Sequence, residues 1–548
     1  MNDPKIFGTS LKALLIRPSN PTGSAYLTKF GFLPTPLGLL QLAGDILTVH
    51  RTWVKVVDME ADKMSSVESV VDEALRYSPE LVGITIHATA AHGTSLRIAK
   101  TIKEHLPDTV LVAGGHHATF LPYDVLRGGF DIVVLGEGDE TIIEITRAIT
   151  EGRGFEGISG IVYKTKSGKF VRTKPRALIF DLDKLPIPAY HLVDKRNYTF
   201  KVFGENDSVA CVETSRGCPY ACDFCSVTPT WGNKWRNKSN KRIIEELDIV
   251  KALGYDWVFF TDDIFVVYPN VKQRMHLFDL MIEKRYNFKW IAQMRADVTA
   301  KNPELIRRAA EAGLRVGFLG IESGSPEILK KMHKGLFTPL SVKAVRMLSE
   351  NGVVVLIGMM LGAPYETLHD MITTLKFAWK LADAGADAVQ FSLYTPLPGT
   401  RIFDDALRNN KLFTLDWDRY DLLTPVMKTK VHPAIIQILQ MIGNHVFYIK
   451  KYFKGRFIDT SWKTTIKGYK RDLVFNAQKF MFRMMPSYVR EFLEFPKHIA
   501  HTIKLYSAFS KLPLVDLKKV SELLEFSNRI LYLEVGGKNP YFMIKQES

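Results

Sequence analysis

Three of the four cysteines in this chain lie close together, in the segment SRGCPYACDFCS of residues 215–226. Cys218, Cys222 and Cys225 have the spacing C-x3-C-x2-C, which indicates a metal site in a reducing compartment rather than a disulfide framework. A structural zinc site normally has four ligands, and no fourth ligand follows at finger-like spacing. Three thiolates suit an iron–sulfur cluster with one open iron, and a structural metal knuckle is the alternative.

The fourth cysteine, Cys211, precedes this cluster within an apolar segment. It lies two residues before Glu213, so both side chains point to the same face of the predicted strand. Buried free cysteines are common in protein cores. We therefore expect Cys211 to be a core residue and not a ligand.

The cysteines follow the first of six apolar segments that alternate with helical segments between about residues 208 and 425. Six β/α units predict a partial or full parallel barrel, with its chemistry at the C-terminal ends of the strands. The cysteines then lie in the first β/α loop. The segments are VACVETS, WVFFTDD, KWIAQMR, VGFLGIES, VVVLIGMM and AVQFSLYTP.

A separate series of apolar runs in residues 11–150 predicts a doubly wound, Rossmann-like parallel sheet, which binds ligands at the carboxyl ends of its strands. Residues 157–192 predict a hairpin and a Pro-rich linker. The chain is therefore predicted to be α/β, with four parts: residues 1–150, a hairpin and linker in 151–200, a barrel in 201–428, and a mainly helical basic region in 429–548. The N-terminal runs are KALLIRP, VKVVDM, LVGITIH, TVLVAGG and DIVVLGEG.

The composition is that of a globular protein, with 46% hydrophobic and 24% charged residues, but the formal net charge is +15. Much of this charge lies in residues 450–490, which contain eleven Lys or Arg but only two Asp, together with many aromatic residues. Such a pattern favours an anionic membrane surface, and a solvated helical cap over the barrel mouth is the alternative.

RNA would be the competing anionic partner, but the chain has no recognisable RNA-binding module, so we expect no nucleic acid partner. The longest apolar run, in residues 353–363, is roughly half of what a bilayer span needs. We expect a cytoplasmic protein, peripheral on the inner face of the membrane.

The cysteine motif, with Phe224 before its last cysteine and a β/α barrel around it, resembles the radical S-adenosylmethionine (SAM) superfamily. The segments FFTDD, GIES, LGAPYET and TPLPGT follow at strand ends in the order of that family. The resemblance implies a [4Fe–4S] cluster on the three thiolates, SAM on the open iron, and a ferredoxin- or flavodoxin-type electron donor. One electron then cleaves SAM, giving a radical that abstracts hydrogen. Phe224 is expected to contact the cofactors.

The resemblance also implies roles for polar residues at the strand ends. Glu322 and Ser323 would hydrogen-bond SAM, and Asp262 and Asp263 occupy the place of a motif that contacts the SAM amino group. Arg295 would meet the SAM carboxylate or the substrate. For each of these residues, a strand-end cap or a barrel salt bridge is the alternative role.

The N-terminal sheet resembles the cobalamin-binding domain that precedes the barrel in one radical SAM subgroup, through the segments AGGHHATFLP and LGEGDETI. The signature D-x-H-x-x-G is absent, which implies cobalamin without a histidine ligand, or a purely structural domain. We expect His116 and His117 to be loop residues rather than cobalt ligands. The expected cobalamin contacts are Thr89, Gly114, Gly115, His116, Gly136, Glu137 and Gly138.

Within that subgroup, the layout resembles hopanoid methylases, the anaerobic magnesium-protoporphyrin cyclase and archaeal tetraether lipid ring synthases. The leading hypothesis is carbon–carbon bond formation in a membrane lipid, giving cyclopentane rings in archaeal tetraethers. The alternative is methyl transfer through methylcobalamin to a lipid, a tetrapyrrole or another hydrophobic substrate. A cobalamin-binding sensor with an inactive barrel is a third hypothesis, and the intact cysteine triad argues against it.

Overall fold

The computed structural model describes residues 10–19, 31–62, 64, 66–204, 206–453 and 465–509. The N-terminal strands are β1 (Leu11–Arg17), β2 (Thr52–Asp58), β3 (Leu81–Thr85), β4 (Val110–Gly114), β5 (Ile132–Val134), β6 (Ile161–Lys164) and β7 (Phe170–Arg172). They form one sheet in the order β2-β1-β3-β4-β5-β6-β7, parallel from β1 to β5. The doubly wound prediction is confirmed.

Strand β2 lies on one side of β1, and β3 and the later strands lie on the other side. The order in which strands are added to the sheet therefore reverses between β1 and β3, and such sheets bind ligands in the crevice at this point. The predicted hairpin is β6 and β7, and it extends this sheet in antiparallel pairing. The sequence pattern had not placed the hairpin in the sheet.

Helices cover both faces of the N-terminal sheet, which explains its unbroken apolar strands. Alternate residues of β1 enter different cores: Leu15 lies in one core and Leu14 in the other. The helices are α1 (Leu37–Leu47), α2 (Val67–Tyr77), α3 (His92–His105), α4 (His116–Phe120), α5 (Pro122–Arg127) and α6 (Asp139–Thr150). Helices α1 and α6 pack together on one face, and α2 and α3 on the other.

The second sheet consists of β8 (Val209–Val212), β11 (Trp257–Phe260), β12 (Lys289–Met294), β13 (Leu314–Glu322), β14 (Val354–Leu361) and β15 (Ala388–Leu393). These six strands are parallel and adjacent in chain order, so the partial β/α barrel is confirmed. A small antiparallel pair, β9 (Ser215–Arg216) and β10 (Arg236–Asn237), flanks the cysteine loop.

The helices of the barrel part follow the strands and bury their apolar sides against them. They are α7 (Val227–Trp231), α8 (Asn240–Ala252), α9 (Val271–Glu283), α10 (Ala296–Lys301), α11 (Pro303–Glu311), α12 (Pro326–Lys331), α13 (Thr338–Glu350), α14 (Leu368–Ala384) and α15 (Arg401–Arg408).

The C-terminal part contains α16 (Pro433–Phe453) and α17 (Thr465–Phe509). Helix α16 covers the edge strand β15, where Asn444 Oδ1 accepts a hydrogen bond of 2.9 Å from Phe391 N. The start of α17 closes the amino end of the barrel, because Leu473 packs in one cluster with residues at the starts of β8, β11 and β14. The alternative of a helical cap over the barrel mouth is therefore wrong for this segment.

The basic segment of α17 is only partly available to a membrane. Lys470 is buried, and its Nζ lies 2.6 Å from Asp387 Oδ2. Arg471 and Lys479 are exposed, whereas Lys463 lies outside the described residues. None of the described helices is long and apolar enough to cross a membrane.

Candidate active site

The cysteine loop begins at a glycine that no other residue could replace without strain. Gly217 has φ +86°, and a Cβ atom there would lie 2.4 Å from the carbonyl oxygen of Lys234. The chain therefore turns from β9 directly into Cys218. All three cysteines of the loop are half-buried, whereas Cys211 lies in β8 and is 4% exposed, which confirms the core prediction.

Residues from the ends of β12 and α12 fix the conformation of this loop. Asp223 is hydrogen-bonded through Oδ1 to His333 Nδ1 at 2.8 Å, and its amide donates to Met332 O at 3.2 Å. The guanidinium of Arg295 lies over the ring of Tyr220, 3.6 Å from its centre. The loop is thus held on the barrel by contacts that do not use its cysteines.

The electrostatics of the loop test whether a metal centre fits there. Burial, together with the charges of Cys222 and Asp263, raises the pKa of Cys218 to about 11 and that of Cys225 to about 12. Three thiolates in one half-buried loop therefore need a multiply charged cation to become stable. The donor set suits a cluster or another cationic metal centre.

Glu322 and Lys334 form a charged pair beside this loop. Glu322 is the last residue of β13. It has φ +69° and follows a register shift, so its side chain no longer follows the regular alternation of side chains between the two faces of the strand. Lys334 Nζ donates to Glu322 Oε1 at 2.7 Å, and the charge of Lys334 lowers the pKa of Cys222 against the larger effect of burial. Sequence reasoning missed Lys334, which lies in a loop without a motif.

The two neighbouring aspartates have different surroundings. Asp262 is fully buried and accepts hydrogen bonds from the hydroxyls of Thr214 and Ser215. Asp263 reaches the cysteine loop, where it acts on the thiols. Burial and then the charge of Asp262 raise the pKa of Asp263 to about 7. Only Asp263 is placed to meet a ligand there.

Two further predicted residues have hydrogen-bond partners within the protein. Arg295 Nη2 donates to the carbonyl oxygens of Lys334 at 2.7 Å and Gly335 at 3.1 Å. The hydroxyl of Ser323 is buried and hydrogen-bonded to Thr374 Oγ1 at 2.9 Å. These contacts favour the structural alternative for Arg295 and Ser323.

The ring of Phe224 packs edge-on against Tyr394, with 5.7 Å between the ring centres. It lies at the border of an apolar cluster beside the cysteine loop. Phe224 therefore fixes the position of the loop by packing, and it places an apolar ring next to Cys225.

A cavity of about 570 Å³ lies between the N-terminal sheet and the first barrel strand. Four of the predicted cobalamin contacts line it: Gly114, Gly115, Gly136 and Gly138. A Cβ atom at Gly114 or Gly136 would meet no other atom within 4 Å and would project into open space. The glycines thus leave room where a bulky ligand could approach the backbone.

The other three predicted cobalamin contacts are not among the residues that line this cavity, and each has a different position. His116 Nδ1 is hydrogen-bonded to Thr230 Oγ1 at 2.8 Å. Glu137 Oε1 accepts from Arg236 Nη1 at 2.8 Å. Thr89 is buried in a 3-10 turn before α3. His87 lines the cavity instead, and burial lowers its pKa to about 4.

A buried ion network connects the cavity to the cysteine loop. Both terminal nitrogens of Arg216 lie 2.9 Å from the carboxylate oxygens of Asp139, and its Nε lies 2.8 Å from Glu213 Oε2. Burial alone would lower the pKa of Arg216, but these carboxylates raise it. Sequence reasoning missed Arg216, although an arginine directly before the cysteine motif was a usable signal.

Known protein families match both the N-terminal domain that contains the cavity and the barrel that contains the cysteine loop. The B12 binding domain family matches residues 23–146, and the radical SAM superfamily matches residues 212–378. An uncharacterized methyltransferase, PH0819 of Pyrococcus horikoshii, is 35% identical over 82% of this chain and 94% of its own length. The hopanoid C-3 methylase of Methylococcus capsulatus is 26% identical over 72% of this chain and 73% of its own length.

Among solved structures, the cobalamin-dependent SAM radical enzyme OxsB, with aqua-cobalamin and SAM bound, has the same fold. It superposes with a TM-score of 0.65 at 15% identity, over 95% of this chain and 79% of its own. The cofactors of the two matched domains are a [4Fe–4S] cluster with SAM, and cobalamin. The chain belongs to the radical SAM enzymes that carry an N-terminal B12-binding domain.

Proposed function

We propose that this chain is a cobalamin-dependent radical SAM methyltransferase that methylates an unactivated carbon of a hydrophobic substrate. The main observation that supports this proposal is the cavity between the two sheets. One wall of it is formed by the carboxyl ends of the N-terminal strands, and the other includes Cys211, Glu213 and Arg216. These residues lead directly to Cys218, so the places for both cofactors are joined by one short segment.

Each part of the site then has a role of its own. Cys218, Cys222 and Cys225 hold the cluster, and Glu322 with Lys334 orients SAM. Apolar residues of the cavity, such as Leu42, exclude water. When bound, the cofactors supply a hydrogen-abstracting radical and a transferable methyl group.

The substrate class is inferred from the relatives and from the surface of α17. The hopanoid C-3 methylase is named for a membrane lipid substrate. On α17, Phe475 is 51% exposed and lies under the ammonium group of Lys479, at 4.5 Å from the ring centre. An aromatic ring beside basic residues suits an anionic membrane surface. A membrane lipid is therefore the proposed substrate, and a ferredoxin- or flavodoxin-type protein is the proposed electron donor.

The test compares total lipid extracts by mass spectrometry from the host, from a deletion strain, and from that strain carrying wild-type or Cys222→Ala protein. We expect loss of species that exceed retained ones by the mass of one CH2 group, with rescue by the wild type alone. Loss of species lighter by two hydrogen atoms would overturn methyl transfer and support the ring-forming hypothesis. An unchanged profile would overturn the lipid substrate, and tetrapyrrole extracts would then be compared in the same strains.

A further inference from the structure

Two histidines and one aspartate converge at a second place, outside the cavity and the cysteine loop. His92 begins α3, His117 lies in α4, and Asp124 lies in α5. One ligand atom from each residue lies within 4.8 Å of the other two, and His92 Nε2 is 3.5 Å from Asp124 Oδ2. No other group of this kind occurs among the described residues.

The surroundings of His117 are the main evidence that a ligand binds between these three residues. Its side chain is 2% exposed, and neither of its ring nitrogens has a hydrogen-bond partner. Burying an imidazole nitrogen without a partner costs roughly 1–3 kcal/mol, so such groups are rare in native cores. A residue that only filled space here would be apolar.

The carboxylate of this group is already oriented by another residue. Trp417, in the segment that follows the last barrel strand, donates from Nε1 to Asp124 Oδ2 at 3.0 Å. Its ring also packs edge-on against His117, with 5.3 Å between the ring centres. An outer hydrogen bond of this kind is typical of carboxylates that bind metals.

The distances suit a small transition-metal ion. Zinc binds imidazole nitrogen and carboxylate oxygen at roughly 2.0–2.2 Å, which places two of its ligands about 3.4 Å apart. The 3.5 Å separation of His92 Nε2 and Asp124 Oδ2 agrees with this value. The side chain of Asp124 is 18% exposed, so an ion could enter from that side.

We propose that His92, His117 and Asp124 form a binding site for a zinc-type divalent metal ion. The site lies where Trp417 meets the N-terminal domain, so a bound ion would fasten that domain to the segment after the barrel. Its role is structural, and it does not depend on the methyl transfer proposed above.

The experiment uses the full-length chain with Cys218, Cys222 and Cys225 all replaced by Ala, to remove the metal of the cysteine loop. The protein is incubated with zinc chloride, freed of unbound metal, and analysed by mass spectrometry for zinc. We expect about one zinc per chain, as for a single structural site. Asp124→Asn and His117→Gln should each weaken zinc binding by at least about tenfold. His105→Gln is the matched control, because His105 ends the helix that His92 begins and is exposed.

A second measurement covers the case in which a variant fails to fold. The wild-type enzyme, purified anaerobically from zinc-supplemented medium, should contain about one zinc per chain in addition to its iron. Absence of zinc in both preparations would overturn the proposal. So would zinc that persists in Asp124→Asn and His117→Gln, because the ion would then lie elsewhere.

Discussion

Arg216 and Asp139 form a bidentate ion pair, with both N–O distances at 2.9 Å, between strand β9, which leads into the cysteine loop, and the first turn of helix α6. Both side chains are 6% exposed. A buried pair of this geometry fixes the distance between its two elements. The pair thereby sets how the N-terminal sheet faces the cysteine loop.

Removing one partner of this network should be costly. Arg216→Met leaves the buried Asp139 and the half-buried Glu213 without this cation, so we expect a loss of about 3–5 kcal/mol in unfolding free energy, measured by denaturant titration. Arg153→Met is the control, because Arg153 pairs with Glu151 at the surface, where such pairs contribute about 0–1 kcal/mol. Equal effects of the two changes would contradict the structural role of Arg216.

The cysteines of the chain should fall into two classes. Cys222→Ala is expected to abolish the visible absorption of the cluster and all SAM cleavage, because the loop loses one of three thiolates. Cys211→Ala should retain both properties, since Cys211 is buried in β8 and burial raises the pKa of its thiol to about 12. SAM cleavage by Cys222→Ala would reject the proposed cluster site.

Glu322 should matter for SAM binding more than for the cluster. Glu322→Gln removes the charge that pairs with Lys334, and we expect SAM affinity to fall about tenfold with unchanged iron content. The measurement is equilibrium SAM binding to the anaerobic enzyme. Glu327→Gln is the matched control, because Glu327 is 70% exposed and pairs with the neighbouring Lys331. Wild-type affinity in Glu322→Gln would exclude the proposed role.

Asp45 should make stability depend on pH. Burial and then the charge of Asp139 raise the pKa of Asp45 from 3.8 to about 8. Between about pH 4 and pH 8, Asp45 therefore keeps its proton in the folded state but has lost it in the unfolded chain. Because the unfolded chain is stabilised by releasing this proton, the free energy of unfolding falls as the pH rises from about 4 to about 8. Asp45→Asn should melt above the wild type at pH 8, by a margin that shrinks towards pH 5. The same margin at both values, or the same gain from exposed Asp108→Asn, would contradict this assignment.

The exposed basic residues of α17 should control vesicle binding. Each basic residue near an anionic surface contributes about 1 kcal/mol, so Arg471→Glu with Lys479→Glu should weaken sedimentation with anionic vesicles by at least about tenfold. Lys184→Glu with Lys241→Glu changes the net charge equally at exposed positions elsewhere. If this control pair lowers sedimentation as much, the attraction depends on net charge and not on α17.

Much of the fold could be predicted because its strands are short apolar runs between polar boundaries. Val209–Val212 is buried and Trp257–Phe260 is buried except at Phe259, and short apolar runs between turn residues are typical of buried parallel strands. The same pattern predicted that Gly114 and Gly136 lie at or just after the ends of strands of the N-terminal sheet. The partner of an edge strand could not be predicted, so the hairpin of residues 161–172 is expected from the sequence but its pairing with β5 is not.

The sequence alone determined the cysteine motif, the order of strands and helices, and thus which strand ends carry the chemistry, because these depend on local spacing and periodicity. Only the tertiary structure decided which polar side chains face the site. Asp262 and Asp263 are neighbours in the chain, yet one is enclosed by Thr214 and Ser215 while the other reaches the cysteine loop. Lys334 meets Glu322, and Arg216 meets Asp139, only after folding. Such pairings depend on the backbone path through distant elements, which no local pattern encodes.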